Sequence, residues 1–317
     1  MSQDIIDYFP PEIKKVLLKS CLQFFREVME IRLRVNCPLE VVTFNSHFWL
    51  TCQGEKINDL KKRPMLVKKE HLEQAVLILT NNSLYALERQ MKEGFITIQG
   101  GHRVGFTGEA VIEDKKIKTI KNVNSLNYRL TREIIGAGRK IIKTLYDKMQ
   151  RIFNTMIISP PLCGKTTLLR DLVRLISYGH ESHGLKGKKI ALVDERSEIA
   201  GAKEGIAQND IGPRTDLLDN CPKAEGMMLL IRSMSPEVIA VDEIGSKKEV
   251  ACLKEVIKSG VSLIVTVHGQ GYSEVRNRPG MEPLFNGNLF ERYIILSKSK
   301  GIGTVESILD SNGEEVS

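Results

Sequence analysis

The sequence predicts a mixed α/β chain in two parts, a smaller α+β N-terminal domain followed by an α/β domain whose parallel sheet carries helices on both faces. Three observations lead there. At 317 residues the chain is long enough for two buried cores. Its first third is rich in short β-branched and aromatic blocks broken by Asn, Pro and Gly. Beyond residue 135, nearly all-apolar strands alternate with helical segments, the pattern of a parallel sheet covered on both sides.

Taken in order, Pro10 to Met29 places Ile13, Val16, Leu17, Cys21, Phe24, Phe25 and Val28 on one helical face and predicts an amphipathic helix. The blocks EIRLRV, PLEVVTF and HFWLTC then read as a small antiparallel sheet, interrupted at Asn36, Pro38, Asn45 and Gly54. Helical spacing returns from His71 to Met91, and GFITIQGGHRVGFTGEAVIEDKKIKTI is Gly-rich and strand-like. Gly136 and Gly138 flank Ala137 and would interrupt a helix from Glu133, so the boundary falls there: residues 1–135 form the first domain and 136–317 the second. The second runs MIIS strand, KTTLLRDLVRLIS helix, KIALVDE strand, GMMLLIRSM helix, VIAVDE strand, KEVACLKEVIKSG helix and SLIVTVH strand.

Composition narrows the function classes. With 42% hydrophobic and 27% charged residues the chain should fold as an ordinary globular protein. The net charge of +7 is spread along the chain, its densest runs at Lys61 to Arg63 and Lys186 to Lys189 reading as solvated loops, so nucleic acid is not the expected partner. Six cysteines contain no C-x-x-C pair, which argues against a zinc site. No leader pattern and no apolar run of about 18 residues is present, so a cytoplasmic protein is expected, without direct membrane insertion, that meets a membrane only through partners.

One segment carries specific chemistry. An apolar strand runs into Ser159-Pro160-Pro161-Leu162-Cys163-Gly164-Lys165-Thr166-Thr167, which opens a helix and nearly matches G-x-x-x-x-G-K-[ST], a phosphate-binding loop. Helix N-terminal amides and the helix dipole favour phosphate. Gly164 lets the backbone approach, Lys165 reaches the β- and γ-phosphates and Thr166 offers a hydroxyl to Mg2+, so the expected ligands are ATP and Mg2+. Ser159 replaces the first Gly of the pattern, and Pro160 and Pro161 stiffen the loop after it.

Downstream, Val238 to Glu243 is an apolar strand ending in two carboxylates: Asp242 is the expected metal ligand and Glu243 the group that polarises water. Asp194 and Glu195 end the intervening strand, on the edge where parallel sheets bind ligands, and could face the metal or the water as well. Thr266 and His268 come to the same edge, His268 as a candidate γ-phosphate sensor.

This order of motifs resembles the secretion-ATPase superfamily of type II and type IV secretion and pilus assembly, through SPPLCGKTT, LVDERSEI, VIAVDEIG and IVTVHG. The resemblance implies a RecA-like P-loop domain and singles out Arg232 ahead of the acidic strand. It also points to Arg129 and Arg132 in LNYRLTRE as linker arginines aimed at the nucleotide, with Arg103 a weaker candidate. EIRLRV, ITIQGGHRVGFTGEAV and NDIGPRTDLLDNCPKAEGM extend the likeness over nearly the whole chain to the stage III sporulation branch. That branch implies a mother-cell ATPase serving a channel complex with integral membrane components; the linker arginines, useful only where a nucleotide joins two bodies, predict a homo-oligomeric ring, expected to be a hexamer. Two features depart from the superfamily: Asp242 stands where Gly usually precedes the Walker B Glu, and the four-cysteine zinc module is missing. Asp194 or Glu195 therefore remains a second choice for the general base behind Glu243. A nucleic-acid-dependent NTPase and a non-hydrolysing ATP-binding scaffold are the rival readings.

Overall fold

The computed structural model describes residues 3–20, 27–43, 46–80, 94–113, 116–131, 133–180, 184–285, 287 and 289–316. The chain divides into two compact units, Met1–Arg132 and Glu133–Ser317.

In the first unit, helix α1 (Pro11–Ser20) buries Ile13, Val16 and Leu17, as its spacing requires. The predicted continuation to Met29 is corrected: Val28 and Met29 open strand β1 (Val28–Arg34), while Cys21, Phe24 and Phe25 lie outside the described residues. The strand wins because Val28, Ile31 and Leu33 can all be buried while the backbone is paired on both sides, by β2 (Glu40–Thr43) and by β7 (Lys116–Arg129). With β3 (His47–Leu50), β4 (Lys56–Ile57), β5 (Phe95–Ile98) and β6 (His102–Glu113), these form a seven-stranded antiparallel sheet in the order β4-β3-β2-β1-β7-β6-β5. Helix α2 (Lys69–Leu79) packs against β7. Its predicted extension to Met91 falls on residues 81–93, outside the described residues. Tyr128 anchors the core, stacked on Phe9 at 4.0 Å with its hydroxyl donating to the Tyr8 carbonyl at 2.9 Å.

The second unit is a seven-stranded sheet in the order β12-β11-β13-β14-β8-β15-β16. Its strands are β8 (Thr155–Ser159), β11 (Ile190–Asp194), β12 (Thr215–Asp219), β13 (Val238–Val241), β14 (Ser262–His268), β15 (Arg292–Ser297) and β16 (Thr304–Leu309). A separate two-residue ribbon pairs β9 (Gly179–His180) with β10 (Leu185–Lys186). Six strands of the main sheet are parallel, and β16 runs antiparallel to β15. The parallel sheet is as expected, and β16 adds an antiparallel edge because the short turn from Ser297 to Thr304 cannot make the long crossover that parallel pairing needs.

Alternation along each strand splits the interior into two cores. Ile157, Leu192, Ala240 and Ile264 pack under helix α3 (Lys165–Tyr178). Met156, Ile158, Ala191, Val193, Ile239 and Val241 face the other side, under α4 (Lys223–Met234) and α5 (Lys247–Lys258). Helices therefore cover both faces. No helix among the described residues is long and apolar enough to cross a membrane.

Candidate functional site

Register places the chemistry on one edge. Ser159 at the end of β8 pairs with His268 at the end of β14, and Val241 pairs with Val265, so Asp242 and Glu243 leave β13 beside Thr266 and His268. The loop after Ser159 carries Leu162 at φ 59° and Gly164 at φ 84°, the left-handed positions that help turn successive amides into an anion-binding concavity. Gly164 then begins α3 without a side-chain cap, leaving first-turn amides for a ligand. Ser159 is fully buried and its hydroxyl donates to the Pro160 carbonyl at 2.9 Å, so the residue replacing the usual Gly is absorbed into the loop itself.

Gly164 has a second reason to be glycine. A Cβ there would lie 3.2 Å from Gly303 Cα and 3.4 Å from Ile302 Cγ2, in the β15–β16 turn. That turn lies against the phosphate loop, a contact the sequence did not foretell.

Thr166 Oγ1 donates to Asp242 Oδ2 at 2.9 Å, so the two predicted metal-binding oxygens meet. Thr266 Oγ1 donates to the other oxygen of Asp242 and accepts the Glu243 amide at 2.8 Å. Glu243 itself has φ 51°, a strained left-handed conformation fixed by these bonds and by Ile244 N–H donating to the Thr266 carbonyl at 2.9 Å.

The Glu243 carboxylate is the centre of the cluster. Its Oε1 lies 2.8 Å from His268 Nε2 and 3.4 Å from Lys165 Nζ, and its Oε2 lies 3.5 Å from Arg196 Nη1. Lys165 is buried, its Nζ also 3.5 Å from both ring nitrogens of His268. Burial pushes the Glu243 carboxyl up, but the charges of Lys165 and His268 outweigh it and hold the group below the usual carboxylate range. Glu243 is therefore ionised at neutral pH.

Asp194 is placed differently. It is turned inward, only 2% exposed, and accepts the amides of Glu198 (2.9 Å), Ile199 (2.9 Å) and Ala200 (2.8 Å). Burial pushes its carboxyl up to about 6, against the pull of those amides. The expectation that Asp194 faces the metal or the water is corrected to this loop-holding position, since its oxygens are committed to the backbone. Glu195 pairs with Lys223 Nζ at 3.0 Å, and Lys223 also donates to the Glu243 carbonyl at 2.9 Å, so Glu195 reaches the cluster through a lysine.

The candidate arginines are dispersed. Arg129 ends β7, 3.8 Å from Glu30 and directly opposite Arg103 of β6, which lies over the Phe95 ring. Arg132 lies outside the described residues. Arg232 sits in the last turn of α4, about 13 Å along the helix from Lys223, and lines a surface groove with Glu225, Lys248 and Glu255. It is not brought to the phosphate loop of its own chain. Sequence reading passed over Lys223, Arg170 and Arg196. Lys223 gave no signal, whereas Arg196 directly succeeds an acidic strand end and could have been weighed as a ligand.

Comparison with known proteins points the same way. The sequence pattern of the family described as "Sporulation stage III, protein AA" matches residues 1–316. Stage III sporulation protein AA of Bacillus subtilis (strain 168) is 40% identical over 317 residues, covering 99% of this chain and 97% of that protein. Among solved structures, the pilus retraction motor PilT with bound ADP aligns at TM-score 0.56 and 14% identity, over 93% of this chain and 78% of PilT. The ATPase DotB of Yersinia pseudotuberculosis aligns at TM-score 0.57 and 14% identity, over 92% of this chain and 77% of DotB. At such identity these two establish the fold alone, a RecA-like α/β fold that the chain shares with them.

Proposed function

The chain belongs to the sporulation stage III, protein AA family, and from that premise we propose that it is a magnesium-dependent ATPase motor working for a membrane-spanning channel or secretion complex during endospore formation. The observation that carries the reading is the contact of Thr166 with Asp242, beside a phosphate loop whose lysine already lies against Glu243 and His268.

In this mechanism the amides of Lys165, Thr166 and Thr167 hold the phosphates, and Lys165 leaves Glu243 for the β- and γ-phosphate oxygens. Thr166 and Asp242 are hard oxygen donors suited to magnesium, which when bound supplies charge neutralisation on the phosphates. Among the described residues no group of three or more His, Cys, Asp and Glu could hold a metal ion. That suits magnesium, which is usually held by one or two protein groups, water and substrate phosphates. Glu243, ionised and locked at φ 51°, orients water for in-line attack, and His268 reads the presence of the γ-phosphate.

The reading extends to assembly. Arg103 and Arg129 stand directly opposite on neighbouring strands, Arg129 with Glu30 3.8 Å away, so the first unit gathers guanidinium groups suited to a phosphate. That supports arginines of the first unit, Arg132 among them, acting on a phosphate across a subunit boundary in a homo-oligomeric ring, proposed as a hexamer. In the mother-cell cytoplasm such a ring would be peripheral to the membrane, held by integral membrane partners.

The test is steady-state Mg-ATP hydrolysis as protein concentration is raised, with and without single-stranded DNA, for wild type and Lys165→Ala. Turnover that rises with concentration, ignores DNA and falls about 10²-fold in the variant is expected. Stimulation by DNA would favour a nucleic-acid-dependent NTPase, and ATP binding without turnover at any concentration would favour a scaffold.

A further inference from the structure

Three donors converge on the Glu243 carboxylate, and only two of them belong to the motifs already described. The third is Arg196, the residue after Asp194 and Glu195. We propose that Arg196 contacts the γ-phosphate of the nucleotide bound to its own chain, Glu243 holding the place of that anion until nucleotide arrives. The inference rests on the nucleotide reading of this site and names a further residue for it.

Geometry supports this in three ways. Lys165 and His268 approach Oε1 of Glu243 while Arg196 approaches Oε2, so the two motif residues and the arginine bracket one anion from its two oxygens. A γ-phosphate next to Lys165 brings more charge and more acceptor oxygens into that space than a carboxylate does, so the donors gain by exchanging one anion for the other.

The loop that carries Arg196 is built to aim it. Asp194 accepts three amides from Glu198 to Ala200. From the other side, Arg170 of α3, one turn beyond Thr166, donates through Nη2 to the Glu198 carbonyl at 2.7 Å and through Nε to the Ile199 carbonyl. Ser197 adds a bond to Asp219 at 2.6 Å. The loop is thus fastened to the phosphate-binding helix itself, and a rigid base beneath a long side chain is the arrangement that places a charged group reproducibly.

The guanidinium at the tip, by contrast, faces solvent. Arg196 is 67% exposed and its Glu243 contact spans 3.5 Å. An exposed pair at that distance is weak and screened by solvent, so exchanging Glu243 for a phosphate costs Arg196 little of this contact. Lys165, at 6% exposure, is already packed in position. The site thus pairs a buried lysine with an exposed arginine, and Arg196 joins His268 in reporting whether a third phosphate is present.

The deciding experiment measures the affinities for Mg-ADP and for the non-hydrolysable Mg-AMP-PNP, together with Mg-ATP turnover, on full-length wild type, Arg196→Ala and Arg196→Lys. Wild type is expected to bind the triphosphate analogue more tightly than ADP. In Arg196→Ala, ADP affinity stays within about twofold, AMP-PNP affinity drops about tenfold or more, and turnover falls about 10²-fold. Arg196→Lys restores part of the AMP-PNP preference by returning the charge without the fork. Equal weakening of both nucleotides in Arg196→Ala would show a merely structural loop residue and overturn the inference, as would unchanged AMP-PNP binding and turnover. Recovery of turnover on mixing Arg196→Ala with Lys165→Ala chains would overturn the assignment to its own chain. Wild type that binds neither nucleotide would overturn the nucleotide reading and this inference with it.

Discussion

Val193-Asp194-Glu195 and Val241-Asp242-Glu243 are the same tripeptide at the ends of neighbouring parallel strands, with Val193 and Val241 in register, yet their carboxylates have opposite fates. Asp194 is followed by a turn whose amides fold back onto it, so its oxygens are filled by backbone. Asp242 is followed by a left-handed Glu243 and faces the hydroxyls of Thr166 and Thr266. The difference lies in what each Asp meets: Asp194 is held by backbone donors, whereas Asp242 meets side-chain hydroxyls, the arrangement behind its proposed role as a magnesium ligand.

Substitutions can break this contrast. Short of Glu243 itself, the largest expected effect is at Asp242, where Asp242→Asn should weaken magnesium affinity by about 10- to 100-fold and lower hydrolysis accordingly, measured by a magnesium titration of turnover. An Asp242→Asn chain with the magnesium dependence of wild type would make the two aspartates equivalent.

Next comes Asp194→Ala, which leaves three amides, two of them buried, without an acceptor and should cost about 1–3 kcal/mol of stability, read by urea denaturation. The same residue sets a pH dependence. Its carboxyl rises from an ordinary 3.8 to about 6 on folding, so between those values the folded chain holds a proton that the unfolded chain has released. Its contribution to wild-type stability therefore declines as pH climbs from about 4 to 6, and Asp194→Ala should flatten that decline.

The smallest expected effect is Thr266→Val, which keeps the buried shape of β14 but removes the hydroxyl that links Asp242 to the Glu243 amide. A stability loss of about 1 kcal/mol with a several-fold drop in turnover would place Thr266 as the post that sets Glu243.

What the sequence disclosed obeys the same division between backbone and side chain. The strand–loop–helix around Lys165 and the apolar strands at Val238 and Ser262 were legible because burial on both faces leaves an unbroken apolar run. Strand β12 was passed over, since TDLLD is only half-buried at the sheet edge and carries two acids. The inward turn of Asp194 depends on three amides from residues four to six positions on, and the Gly164–Gly303 approach joins segments 139 residues apart. Neither leaves a periodic trace in the chain.

The central claim, that Asp242-Glu243 performs chemistry while Asp194-Glu195 supports the structure beside it, is tested most directly by Mg-ATP turnover of Glu243→Gln beside Glu195→Gln, with ATP affinity measured for both. The account predicts that Glu243→Gln retains ATP but loses about 10²-fold or more in turnover, while Glu195→Gln stays within about threefold of wild type. Wild-type turnover in Glu243→Gln, or the larger loss in Glu195→Gln, would contradict it.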